Sequence, residues 1–187
     1  GTFELDAQRR GLRFTAPNTS LDLGSIAKGH ALELAAAKLR ECGVERALLH
    51  GGTSGVVALG APPEQRGWRV ALGAEPEAPV AVLCDNALSM SAPHGRCVDF
   101  AGHSVGHLLD PRSGRPVPQA TFAVVVARSA RVADAWSTAA LVLAARGETL
   151  APPDELSLHM RAPDGSVLTR GDASVFEFPE HLQAATR

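Results

Sequence analysis

The sequence predicts an α+β domain of mostly antiparallel sheet with two main helices, and three observations carry that expectation. Short apolar runs recur along the first half of the chain, each bounded by Gly, Pro or charged residues that stop regular pairing. Two longer segments place their apolar residues at helical spacing instead. Hydrophobic residues make up 45% of the chain but aromatic ones only 4%, with no Tyr, so the core must be built mainly from Ala, Val and Leu.

Gly11–Thr15 is the first strand-like run. Ile26–Glu41 follows as a helix: Leu32, Ala35, Ala36 and Leu39 recur on one side, Lys38, Arg40 and Glu41 tend outward, and Gly43 is placed to stop it. Further strand-like runs stand at Arg46–His50, Gly55–Gly60, Trp68–Leu72 and Val80–Cys84. The stretch Ser91–Pro118, rich in Gly, Pro, His and Arg, is expected to form irregular loops between edge strands, a setting in which function concentrates. Thr121–Ala127 is a β-branched run typical of a buried strand, and Ser129 is a good N-cap for a second helix that ends near Gly147. A hairpin turning at Pro163-Asp164-Gly165 closes the chain. With no repeat or low-complexity block to divide them, the 187 residues read as one domain with its own core.

Charge narrows the function. Lys plus Arg number 18 against 20 Asp plus Glu, and no basic run exceeds two residues, which removes the electrostatic footprint of a nucleic-acid binder. Cys42, Cys84 and Cys97 are far apart and form no CxxC, so neither a disulfide framework nor a zinc site is expected; they read as small buried apolar residues. No apolar run is long enough to span a membrane, and the first residues lack the basic and apolar blocks of a signal peptide. A small molecule or another protein is the expected partner.

Three segments carry chemistry. In LDLGSIAKGHA, residues 21–31, Asp22, Gly24 and Ser25 lead into a helix start, whose free N–H groups and dipole favour an anion such as a phosphate, and Lys28 adds a mobile positive charge. Asp and Gly at that place are equally ordinary capping residues. In HLLDPRSGRPV, residues 107–117, Asp110-Pro111 with Ser113-Gly114 marks a turn, and the His107 imidazole is suited to accept a proton from a hydroxyl at neutral pH. In ARSARVADAWSTAALVLAA, residues 127–145, Asp134 and Thr138 stand one helical turn apart with Ser137 beside them. A carboxylate and a hydroxyl at that spacing suit a hard cation such as magnesium, and they suit a solvated polar stripe as well.

Taken together and in this order, the three segments resemble the motifs of the FAD:protein FMN transferase (ApbE) family, which read DLGGIAKG, HxLDPRTGxP and ADAxSTA. The resemblance implies an α+β fold of the thiamine-biosynthesis-lipoprotein type, related to the T-fold, with FAD as substrate and Mg2+ bound between the motifs. It implies Asp134 and Thr138 as side-chain metal ligands and Ala27 as a main-chain ligand, with Lys28 beside them. Gly24, Ser25, Lys28, His107 and Asp110 are the implied flavin-nucleotide contacts, and His107 is the implied catalytic residue. The implied reaction transfers FMN from FAD to a Thr or Ser hydroxyl of an acceptor flavoprotein and releases AMP. The family is often exported and lipid-anchored in bacteria. This sequence departs from the family pattern in three places: a short segment before Asp22, Thr53 in Gly51-Gly52-Thr53 where the family has an aspartate, and Pro93 in Ser91-Ala92-Pro93, where an N–H is lost. An N-terminally shortened or partial family member is therefore expected. Two alternatives are a non-catalytic flavin-binding or assembly module, and an FAD pyrophosphatase giving FMN and AMP.

Overall fold

A computed structural model of the chain describes residues 3–75, 77–92, 97–100, 103–117, 122–148 and 150–179, with 97–100 and 103–105 described by their backbone. Its centre is a six-stranded sheet in the order β12-β11-β10-β7-β4-β3, antiparallel at every pairing. The strands are β3 (Ala47–His50), β4 (Gly55–Leu59), β7 (Ala87–Ser91), β10 (Phe122–Ala127), β11 (Ser157–Arg161) and β12 (Val167–Arg170). The first helix, α1 (Ala27–Glu41), and the second, α2 (Ala130–Ala145), pack together against one face of this sheet. A three-stranded sheet of β5 (Trp68–Ala71), β6 (Val80–Leu83) and β13 (Phe176–Glu177) covers the other face.

Period-two alternation explains how one strand serves both layers. In β10, Ala123, Val125 and Ala127 join the helix-side core, while Val124 and Val126 join the core beneath the three-stranded sheet. Because both faces of β10 are covered, its sequence is an unbroken apolar run rather than an alternating one. The helices end where local chemistry directs. Ser129 caps α2 by accepting a hydrogen bond from the Val132 N–H, and Gly43, at φ +79°, follows α1 where a left-handed residue stops a helix.

The structure corrects the expected elements in several places. β7 was not expected as a strand, because its ALSMS sequence holds no β-branched residue and only modest apolar bulk. It is nevertheless a central strand, hydrogen-bonded to β4 and β10. The stretch expected as irregular loops contains a hairpin of β8 (Cys97–Phe100) and β9 (His103–Gly106). At the start of the chain, β1 (Phe3–Asp6) pairs with β2 (Gly11–Phe14), and every residue of both strands is exposed. Cys42 and Cys84 are exposed, not buried: one follows the last turn of α1 and the other sits between β6 and a turn, where no layer covers them. Pro93 and Thr121 lie outside the described residues.

Candidate active site

The first half of α2 turns its polar stripe inward. Asp134 is 4% exposed and Ser137 is fully buried, so the stripe faces the α1–β7 side of the helix rather than solvent. That arrangement needs α1 to come unusually close, and Gly29 allows it. A Cβ on Gly29 would lie 2.2 Å from the Ala130 carbonyl oxygen and 2.9 Å from the Asp134 Cβ. Gly29 stands in the first turn of α1, where its N–H has no partner within the helix, and with no Cβ it lets backbone meet backbone.

The approach delivers a hydrogen bond. The Gly29 N–H donates to Asp134 Oδ2 at 2.9 Å, joining positions 105 residues apart in sequence. The other carboxylate oxygen is 3.3 Å from Ser89 Oγ on β7. Ser137 Oγ lies 3.2 Å from Ser89 Oγ and 2.8 Å from Ser91 Oγ, and Ser91 Oγ is also 3.2 Å from Thr138 Oγ1. The Lys28 ammonium stands 3.9 Å from Asp134 Oδ1, with its side chain about half exposed. One buried negative charge is thus met by an N–H, a hydroxyl and a nearby cation, which is what makes its burial tolerable. Thr138 and Lys28 mark where the cluster opens toward solvent.

Among the residues expected to act, the α1–α2 packing brings Lys28 to Asp134, Thr138 joins the same cluster through Ser91, and Ala27 precedes Lys28 as the first residue of α1. Gly24 and Ser25 sit in the exposed turn that leads into α1. This turn is closed on itself: Asp22 Oδ1 accepts the Gly24 N–H at 2.7 Å, and the Leu23 carbonyl accepts the Ile26 and Ala27 N–H groups. The helix start therefore offers an anion fewer free donors than the sequence implied. Thr53 is exposed in the β3–β4 turn, which adjoins the polar cluster through a hydrogen bond from the Met90 N–H to the Ser54 carbonyl.

His107 is exposed and directly follows β9. It opens a loop that folds back on itself, with Val117 N–H bonded to the Leu108 carbonyl and Leu109 bridged to Pro116. Asp110 sits inside that loop. Its carboxylate accepts from the Arg112 N–H and the Ser113 hydroxyl, both at 2.9 Å, and from the Arg146 guanidinium at the end of α2. The Arg146 hydrogen bond, followed by the Arg112 N–H, holds the Asp110 carboxyl well below the usual carboxylate range. Both oxygens are engaged within the protein, and these bonds tie the loop to itself and to the end of α2.

Sequence reasoning missed Ser89, Gly29 and Arg146. Gly29 left a signal, because a glycine inside a helical pattern asks for a packing reason. Ser89 left none, since nothing local marks β7 as the strand beneath α2.

Comparison with known proteins bears on this arrangement. The ApbE family model matches residues 2–158. The FAD:protein FMN transferase of Rhodobacter capsulatus is 34% identical over 173 residues, which is 90% of this chain and 32% of that protein. The Escherichia coli K12 protein of the same name is 29% identical over 133 residues, or 68% of this chain and 38% of that protein. In fold, the chain is similar to the ApbE protein of Thermotoga maritima, with a TM-score of 0.77 at 23% identity over 100% of this chain and 59% of that one. The flavin transferase ApbE of Vibrio cholerae gives a TM-score of 0.73 at 21% identity, covering 94% and 58% respectively. The chain thus spans about a third of the length of the curated relatives it matches (32–40%).

Proposed function

This chain belongs to the ApbE family, and from that membership we propose that it carries the catalytic half-site for magnesium-dependent transfer of FMN from FAD to a Thr or Ser hydroxyl of an acceptor flavoprotein, with release of AMP. The observation that carries the proposal is the inward-facing Asp134 carboxylate, one helical turn from Thr138 and within 3.9 Å of the Lys28 ammonium.

The donors suit a magnesium ion. Among the described residues no three His, Cys, Asp or Glu side chains converge, which leaves neither a zinc-type ligand set nor a cage of carboxylates. One carboxylate, a hydroxyl and a main-chain carbonyl are hard oxygen donors, the set that suits magnesium when phosphates complete its coordination. Asp134, Thr138 and the Ala27 carbonyl are the residues that would hold it. When bound, magnesium supplies positive charge that offsets the charge on a pyrophosphate.

The chain's own residues do the rest. Lys28, half exposed at the mouth of the cluster, contributes a second positive charge toward a bound pyrophosphate. His107 accepts the proton from the acceptor hydroxyl. The hydroxyl oxygen bonds to the FMN-side phosphorus, the phosphorus–oxygen bond to AMP breaks, and AMP leaves with the electron pair. An exposed imidazole is suited to this role, because the hydroxyl arrives on the surface of another protein.

The test is incubation with FAD, magnesium and an acceptor peptide bearing the target Thr. Covalent FMN on the peptide with equimolar AMP is expected. Asp134→Asn should lower AMP release at least about 100-fold and raise the magnesium concentration needed for half-maximal rate. Free FMN and AMP without a peptide adduct would replace transfer by hydrolysis. FAD binding without AMP release, from folded protein, would leave only a binding module.

A further inference from the structure

Four charged side chains link the His107 loop to the end of α2. Arg146 Nε bonds Asp110 Oδ1 at 3.0 Å, a second guanidinium nitrogen bonds the same oxygen, and both side chains are only 15–16% exposed. Arg146 also approaches Glu148 at 3.6 Å, and Glu148 in turn accepts from Arg112 at 2.7 Å. Because the Arg112 N–H returns to Asp110, the contacts close into a ring that spans the loop and the helix end. Arg146 is the C-cap of α2, where a cation is favoured by the helix dipole.

We propose that Arg146 is a positioning residue for His107, acting through Asp110 and resting on the flavin-transfer role given above. The geometry supports this in two ways. His107 lies three residues before Asp110, so an extended chain keeps it within about 11 Å of the clamp. Leu108 packs against the core cluster that contains Val117, which leaves the polar side of the loop as the part that needs a second anchor. The same helix that carries Asp134 and Thr138 therefore also sets where the His107 loop lies. Two guanidinium nitrogens converge on Asp110 Oδ1 while the Arg112 N–H and the Ser113 hydroxyl hold the same carboxylate from the loop side, and a single lysine ammonium would not reproduce the two contacts from α2.

Two measurements on the whole chain test this, in Arg146→Met, Arg146→Lys, Asp110→Asn and the Arg146→Met/Asp110→Asn double variant. Amide hydrogen exchange needs no activity: exchange across 107–117 should quicken about tenfold or more in Arg146→Met, while β10 stays protected. In turnover, kcat should fall about 10- to 100-fold with KM for FAD within about twofold, because a misplaced catalytic group costs rate rather than affinity. Arg146→Lys should recover part of the loss, and the double variant should be no worse than either single one. A rise in KM at unchanged kcat would instead make Asp110 a nucleotide ligand and overturn the proposal, as would loop exchange equal to that of the parent chain. If the parent chain shows no turnover at all, the flavin-transfer role fails while the exchange result still decides the clamp.

Discussion

The two faces of the six-stranded sheet bury polar groups in opposite ways. On the helix face, Ser89 and Ser91 of β7 meet Ser137, Thr138 and Asp134 of α2, and each oxygen finds another within hydrogen-bond reach. On the far face the main buried polar side chain is His159 of β11, 4% exposed, with ring centroids of Phe122, Phe176 and Phe178 between 4.9 and 5.7 Å away. Its Nδ1 lies 3.1 Å from the Thr169 hydroxyl, and burial, with the nearby Arg161 charge, lowers its pKa from 6.5 to about 4. A buried polar network that includes a charge and opens to solvent is suited to bind something. A solitary buried imidazole among phenylalanines makes the fold sensitive to pH instead.

The largest expected effect breaks the helix face. Gly29→Ala places a Cβ 2.2 Å from a backbone oxygen, which no rotamer change relieves, so α1 must move away from α2. Loss of about 3 kcal/mol or more is expected by denaturant unfolding, together with loss of magnesium response. Unchanged stability would mean that the α1–α2 approach is looser than described.

The next effect belongs to the far face. The folded-state pKa of His159 lies below its unfolded value, so the unfolded chain binds more protons between the two. The contribution is fully present above pH 6.5 and is lost as pH falls toward about 4, a change of about 3 kcal/mol. His159→Phe should flatten the pH dependence of the unfolding midpoint across that window; an unaltered slope would remove His159 as its source.

Smaller effects sharpen the contrast. Ser89→Ala takes the hydroxyl away from Asp134 and Ser137 and is expected to cost about 1–2 kcal/mol, with weaker magnesium response, whereas Thr169→Val on the far face should leave that response intact. Ser129→Ala removes the α2 cap and its 2.7 Å bond to Glu33, and is expected to cost about 1 kcal/mol without altering the site chemistry. Thermal unfolding with and without magnesium separates these outcomes.

Much of the frame was legible from the chain itself. The helical spacing of Leu32, Ala35, Ala36 and Leu39, the Ser129 cap, the apolar run of β10 and the Asp134–Thr138 interval are local properties, and each reappears within a residue or two of where it was read, except that Ala35 is exposed on α1 rather than packed beside Leu32 and Ala36. They are legible because 3.6- and two-residue periods and capping need only neighbours in sequence. The membership of the motifs in one family was legible for the same reason, since each motif is a short contiguous string. What only the tertiary structure decided was the direction in which those strings face. Whether Asp134 points to solvent or inward depends on Gly29, 105 residues away, and on Ser89, 45 away; which cation within the protein the Asp110 carboxylate meets depends on Arg146, 36 away. Those pairings are set by how layers pack, and nothing in the local pattern of β7 or of the 107–117 loop encodes them.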